Sequence, residues 1–298
     1  MSAWPNQCFD PSAMNTTVQS NYLGHKVAFL TQHGKQDLIR APLEAALGCH
    51  IVHTAGYDTD QLGTFTRDVD RPGSQLEAAR RKATIGMALT QTRLAIASEG
   101  AFGLDPHMGF MAWDTEILLW VDQERGLEVT GLSHGPAQSL HRAVQTLQEL
   151  KQFATDALFP EHHLVLRPDH PDHPKIYKNI EDKKSLLKAF NLVQKQSATG
   201  VVLVENDLRA FSNPTRQQLI RQAAQDLIQK LLSACPKCTA PGYWKKQEIQ
   251  GLLCQSCQRK TRLPVAEVWH CQACAYQEQL EINSGQWANP RHCDNCNP

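Results

Sequence analysis

Eight cysteines near the C-terminus have the types and spacing of a metal centre: Cys235-x-x-Cys238, Cys254-x-x-Cys257, Cys271-x-x-Cys274 and Cys293-x-x-Cys296. One C-x-x-C turn presents two thiolates to a metal ion, and a second turn closes a tetrahedron around it. Fifteen residues (239–253) separate the first two couples and eighteen (275–292) the last two, both within the spacing of zinc-binding C-x2-C pairs. Four couples supply two four-thiolate sites, so two structural Zn2+ are expected, with all eight cysteines as ligands. The gap lengths favour sequential pairing, which gives tandem zinc ribbons at 233–264 and 265–298. Interleaved pairing, a cross-braced module, is the alternative. Disulfides would need an oxidising compartment. The N-terminal run MSAWPNQCFDPSAMN has neither the basic nor the apolar region of a secretory signal. No apolar run approaches the roughly 20 residues that span a bilayer. A cytoplasmic protein with no membrane partner is expected.

Acids and bases also gather after apolar runs that read as buried strands. Val27–Leu30 leads into Thr31-Gln32-His33-Gly34-Lys35, where backbone N–H groups at a helix start and the Lys35 ammonium suit an anion. Leu94–Ala97 leads into Ser98-Glu99-Gly100, which makes Glu99 a candidate metal ligand or general base. Val201–Val204 leads into Glu205-Asn206-Asp207-Leu208-Arg209. Arg216 falls in the first turn of the helix begun by Asn213-Pro214, where the macrodipole disfavours a cation. A bound anion, or a salt bridge to Asp207, would offset that cost. Ser74-x-x-Glu77 is a capping box, which by itself accounts for Glu77. The histidines 162, 163, 170 and 173 follow no zinc spacing.

The elements that would position these groups alternate between strand and helix. The chain has 298 residues, 41% hydrophobic, with 30 basic residues balancing 30 acidic ones. That excludes a nucleic-acid coat or a charged disordered chain. Residues 1–21 read as a loose arm and 22–232 as a three-layer α/β domain with a mixed sheet, to which the ribbons are appended. Helices are expected at 35–47 (kinked or split by Pro42), 74–90, 137–157, 181–196 and 214–232. Strands are expected at 27–30, 51–52, 94–97, 116–121, 127–132, 163–167 and 201–205.

The run Glu77-Ala78-Ala79-Arg80-Arg81-Lys82-Ala83 resembles the E-N-A-x-x-K-A helix of inosine/xanthosine triphosphate pyrophosphatases. Thr31–Lys35 resembles their early phosphate loop, and Ala97–Gly100 their acidic strand end. The resemblance covers about residues 26–103. It implies a mixed α/β fold and a Mg2+-dependent nucleotide pyrophosphohydrolase site. Lys35 would contact phosphate, Glu77 and Glu99 would hold metal or activate water, and Lys82 would support them. Ala78 and Gln32 stand where that family has Asn. On an ideal helix Glu77 and Lys82 lie about 140° apart. The whole chain also resembles an uncharacterised bacterial domain-of-unknown-function family. The resemblance rests on Arg67–Arg80, Ser98–Gly103, Asp207–Arg216 and the terminal C-x-x-C pairs, and implies no activity.

Two classes of function follow. The first is a metal-dependent hydrolase of a phosphorylated small molecule such as a nucleoside triphosphate. It would use Mg2+ or Mn2+, with Glu77, Glu99 and Asp207 as the catalytic carboxylates. Lys35, Lys82, Arg209 and Arg216 would bind phosphate. The second is a non-catalytic zinc-ribbon protein. Residues 235–264 carry Lys237, Lys245, Lys246, Arg259, Lys260 and Arg262 beside Tyr243 and Trp244, a surface suited to nucleic acid or to a protein partner. Residues 265–298 are acidic.

Overall fold

The computed structural model describes residues 21–32, 34–59, 73–106 and 109–298. The expected N-terminal arm, His33 and the Arg67–Asp68 part of the family-like run lie outside the described residues. The chain forms two compact units. One comprises His25–Ala45 and Cys49–Leu231; the other comprises Leu232–Pro298 with Ala46–Gly48 and the described residues up to Gly24.

The larger unit begins with β1 (Lys26–Leu30), α1 (Gln36–Leu47), β2 (His50–Thr54), α2 (Gln75–Thr90), β3 (Leu94–Leu104), β4 (Ala112–Asp122) and β5 (Leu127–Pro136). These strands form one mixed sheet in the order β2-β1-β3-β4-β5. β1 runs parallel to β2 and β3, whereas β4 and β5 are antiparallel neighbours. Alternation along the strands separates the two faces. Ala28, Ala95, Ala97, Ile117 and Leu119 pack against Ala79, Ala83 and Met87 of α2. On the other face lies α5 (Pro214–Leu232). It sits so close that a Cβ on Gly131 of β5 would strike the Ala223 carbonyl oxygen and Leu227. The result is the expected three-layer α/β arrangement. Pro42 lies inside a single helix, α1.

A second sheet is built from β6 (His141–Val144), β7 (Leu164–Pro168), β8 (Tyr177–Ile180) and β9 (Val202–Asn206), in the order β6-β9-β7-β8. Its pairings are antiparallel. With α3 (Leu147–Asp156) and α4 (Lys183–Gln196) it encloses a separate apolar core that includes Val144, Phe153, Leu166, Phe190 and Val204. The helix expected from 137 to 157 is corrected here. Thr146 and Glu149 form a reciprocal capping box that fixes the start of α3, and residues 141–144 pair with β9 instead.

The C-terminal unit is an antiparallel meander of β10 (Trp244–Gln250), β11 (Pro264–His270) and β12 (Gln277–Glu281). Among the described residues no helix is long and apolar enough to cross a membrane.

Candidate functional site

Glu99 leaves β3 on the α2 face of the sheet, where it is buried at 4% exposure. Its Oε1 lies 2.6 Å from Nζ of Lys82 on α2. Gln75, in the first turn of α2, donates to the backbone carbonyls of Glu99 and Thr115, each at 2.8 Å. The helix start is thereby pinned across β3 and β4, which holds Lys82 against Glu99. That residue lies inside β3, which runs on to Leu104 instead of ending at Ala97 as expected, because residues 98–104 pair with β4.

On the opposite face, Glu116 of β4 is fully buried. Arg216, also buried, donates from Nε to Glu116 Oε1 at 2.5 Å and from Nη1 to the Leu208 carbonyl at 2.5 Å. Asn213 caps α5 by accepting from the Arg216 N–H at 3.0 Å. The cation that the helix dipole disfavours is therefore held by a carboxylate from the sheet. Lys35 reaches the same place from the β1–α1 turn. Its Nζ donates to Ser98 Oγ at 2.9 Å and lies 3.7 Å from Glu116 Oε2. Burial pushes the Lys35 pKa down to about 8, against the opposing pull of Glu116. Gly100 leaves room for the pair. A Cβ there would meet Glu116 Oε1 and sit 2.5 Å from Arg216 Nη2. Asp114 lies two residues before Glu116 on the same strand face, at 1% exposure. Burial, and then the neighbouring Glu116 charge, raise its pKa to about 7, opposed by Arg216 and Lys35.

Lys35, Lys82, Glu99 and Arg216, expected from sequence, thus gather around the C-terminal half of β3. Gly34, at φ +71, turns the chain there; a Cβ on it would lie 3.6 Å from Phe211 Cβ, so the segment after β9 closes over the same end. Glu116 and Asp114 were not among the expected residues, because the run Glu116–Val121 reads simply as a strand. The available signal was two acids spaced by two, Asp114 and Glu116, on the same face as the apolar Leu118.

Three expectations change. Glu77 is exposed, and its Oε2 accepts from the Ser74 N–H at 2.7 Å and Ser74 Oγ at 3.0 Å. It completes the capping box of α2 instead of turning toward Lys82 and Glu99, as the ideal-helix angle between Glu77 and Lys82 requires. Arg216 pairs with Glu116, not with Asp207. Asp207 is instead clasped by Arg209, with Nε 2.9 Å from Oδ1. It also accepts from the Asn179 N–H at 3.2 Å. Burial opposes its ionisation, but the hydrogen bonds and charge of Arg209 outweigh burial and hold its pKa below the usual carboxylate range. Asp207 and Arg209 neighbour the Arg216 site through the intervening Leu208 carbonyl; their own charges are spent on each other.

The cysteines form two clusters, Cys235/Cys238/Cys271/Cys274 and Cys254/Cys257/Cys293/Cys296, each with its sulfurs within 4.8 Å of one another. Sγ–Sγ separations of 3.7 Å (235–274), 3.6 Å (238–271), 3.9 Å (254–296) and 3.5 Å (257–293) are too long for disulfides. They match the edge of about 3.8 Å of a tetrahedron whose Zn–S bonds are about 2.3 Å. The donor set therefore fits two structural zinc ions, whose chemistry is to cross-link the fold.

The pairing is interleaved, which corrects the sequential expectation. Residues 233–264 and 265–298 are not two self-contained zinc sites. The physical reason is strand parity. Each gap between successive couples holds a single strand of five to seven residues. At roughly 3.3 Å per residue such a strand carries the chain to the far end of the meander. The first and third turns therefore meet at one end, the second and fourth at the other. Three of the turns close with a residue in the left-handed region, Thr239, Gln258 and Ala275, at φ of 58–60°. Tyr243, expected as a stacking surface, is buried at 6% and donates to Glu278 at 3.2 Å. Trp244 packs on Trp269 at 5.3 Å.

The chain belongs to a family described as domain of unknown function DUF6671, whose model matches residues 82–298. The match takes in Glu99, Asp114, Glu116, Arg216 and all eight clustered cysteines, and begins after Lys35 and Glu77. No curated protein and no solved structure matches the chain.

Proposed function

We propose that the protein is a divalent-metal-assisted hydrolase of a phosphorylated small molecule, with nucleoside triphosphates the substrate class to test first. One observation carries the reading: two clusters of buried acids and bases, Lys82–Glu99 on the α2 face and Lys35, Arg216, Asp114 and Glu116 on the α5 face, flank the same stretch of β3 and β4. Phosphoanhydride hydrolysis needs both carboxylates and cations near the phosphate oxygens, and each cluster supplies both. The resemblance of Thr31–Lys35, Glu77–Ala83 and Ala97–Gly100 to nucleotide pyrophosphatases points the same way.

In this reading Lys82, the least buried cation of the two clusters, receives the phosphate. Lys35 and Arg216 offset the carboxylate charge. Glu99 accepts the proton of the attacking water as the new P–O bond forms and the bridging P–O bond breaks. A bound divalent cation would neutralise charge on the phosphate oxygens. Glu77 has no part in this scheme.

The test is a screen of the purified chain against nucleoside triphosphates and phosphate monoesters with Mg2+ or Mn2+, following phosphate and pyrophosphate release. Turnover lost in Glu99→Gln with the fold intact is expected. No turnover above background with either metal overturns the reading.

A further inference from the structure

We infer that Asp114 and Glu116 form a divalent-cation site on the α5 face of the sheet. This deepens the hydrolase reading and rests on it only for the site's use. Both side chains are at most 1% exposed. Neither Asp114 oxygen has a hydrogen-bond partner of good geometry, and Glu116 Oε2 has none either. An unpaired buried carboxylate costs several kcal/mol, and protonation would leave an O–H that also needs an acceptor. A cation between the two would ligate both Asp114 oxygens, beside which only the Thr115 N–H acts, and Glu116 Oε2, which otherwise meets Lys35 at 3.7 Å.

The positions suit it. Residues two apart on a strand share a face, and β4 holds both backbones rigidly between β3 and β5. Phe102 lies directly opposite Asp114 across the β3–β4 ladder and Gly100 opposite Glu116. The glycine at position 100 lets the Glu116 carboxylate and the Arg216 guanidinium pack directly against the β3 backbone.

The donor set selects the metal. Two carboxylates with no thiolate suit hard cations. Mg2+ and Mn2+ bind through one or two carboxylates, keep several waters and share the rest of their shell with phosphate. Lys35 and Arg216 already offset the Glu116 charge, so the ion adds positive charge that a phosphate group would match.

The experiment uses the full chain with its zinc sites filled. Mn2+ is titrated while free Mn2+ is followed by electron paramagnetic resonance. One Mn2+ per chain, displaced by excess Mg2+, is expected. Asp114→Asn should weaken uptake at least tenfold while two zinc ions stay bound, and Glu161→Gln, an exposed carboxylate, should leave uptake unchanged. Should Asp114→Asn misfold, Mn2+ broadening of the Gly100 and Phe102 amide resonances in the unaltered protein locates the ion without a variant. Absence of Mn2+ uptake, uptake unaffected by Asp114→Asn, or broadening elsewhere overturns the site. Mn2+ held at Asp114 without any turnover upholds the site and overturns the hydrolase reading. Turnover without Mn2+ at Asp114 does the reverse.

Discussion

Arg216 and Glu116 meet at 2.5 Å across 100 residues of sequence, one from the first turn of α5 and one from the middle of the sheet. Both are almost fully buried, so the pair fastens the third layer to the strands at the point where the candidate site lies. Removing one partner of a buried pair costs about 3–5 kcal/mol, because the other charge is left uncompensated. Arg216→Met should therefore lower stability to chemical denaturation by roughly that amount. Glu116 would keep only the longer contact to Lys35. A loss below about 1 kcal/mol would show that the pair is solvated and marginal.

Gly100 offers a sharper probe of the same geometry. Its backbone needs no positive φ; what it needs is space, since a Cβ would collide with both members of the Glu116–Arg216 pair. Gly100→Ala should destabilise the protein by about 1–3 kcal/mol, in the range of overpacked cores. In the Arg216→Met background the same change should cost less, because one of the clashing groups is gone. Equal costs in both backgrounds would mean that the clash is relieved elsewhere.

Much of this was legible in the residues, and the failures have physical causes. Four-residue apolar steps and an Asn-Pro start gave α5 almost to the residue, since burial and capping act locally. Lys35 and Arg216 are visible because each breaks or follows a local pattern at an element end, Glu99 because an acid follows an apolar run, and Lys82 through the resemblance alone. Glu116 was hidden because a strand residue's partner is set by sheet order, which local patterns do not carry. Glu77 was read into the site by resemblance, although the capping box already accounted for it. The zinc pairing is hidden for a related reason: gap length does not carry the number of strand passes within each gap, and that number decides where the next turn arrives.

Strand parity makes the zinc pairing testable by deletion. A chain ending after Ile282 loses the turn that carries Cys293 and Cys296. Interleaved sites predict one remaining zinc, held by Cys235, Cys238, Cys271 and Cys274, with Cys254 and Cys257 open to alkylation. Sequential sites predict one zinc as well, but with Cys271 and Cys274 alkylated. Peptide mapping after iodoacetamide treatment distinguishes the two patterns.

Asp207 makes a prediction about pH. Its side chain is fully buried against Arg209, and the folded state holds its pKa below the ordinary value of 3.8. A carboxylate whose pKa is depressed on folding adds stability that is fully present above its unfolded pKa. The unfolded state binds the proton first, so that stability is lost as pH falls through the range between the unfolded and folded pKa values. Asp207→Asn should therefore be destabilising at pH 7, by an amount set by the Arg209 charge it leaves behind. The gap between the two proteins should shrink as pH falls below about 4, where the unfolded reference carboxylate protonates. Zinc loss on acidification affects both chains alike, so the comparison uses their difference in urea midpoint at each pH. A gap that holds constant from pH 7 down to pH 3 would show that the Asp207–Arg209 pair contributes packing but no net ionic stability.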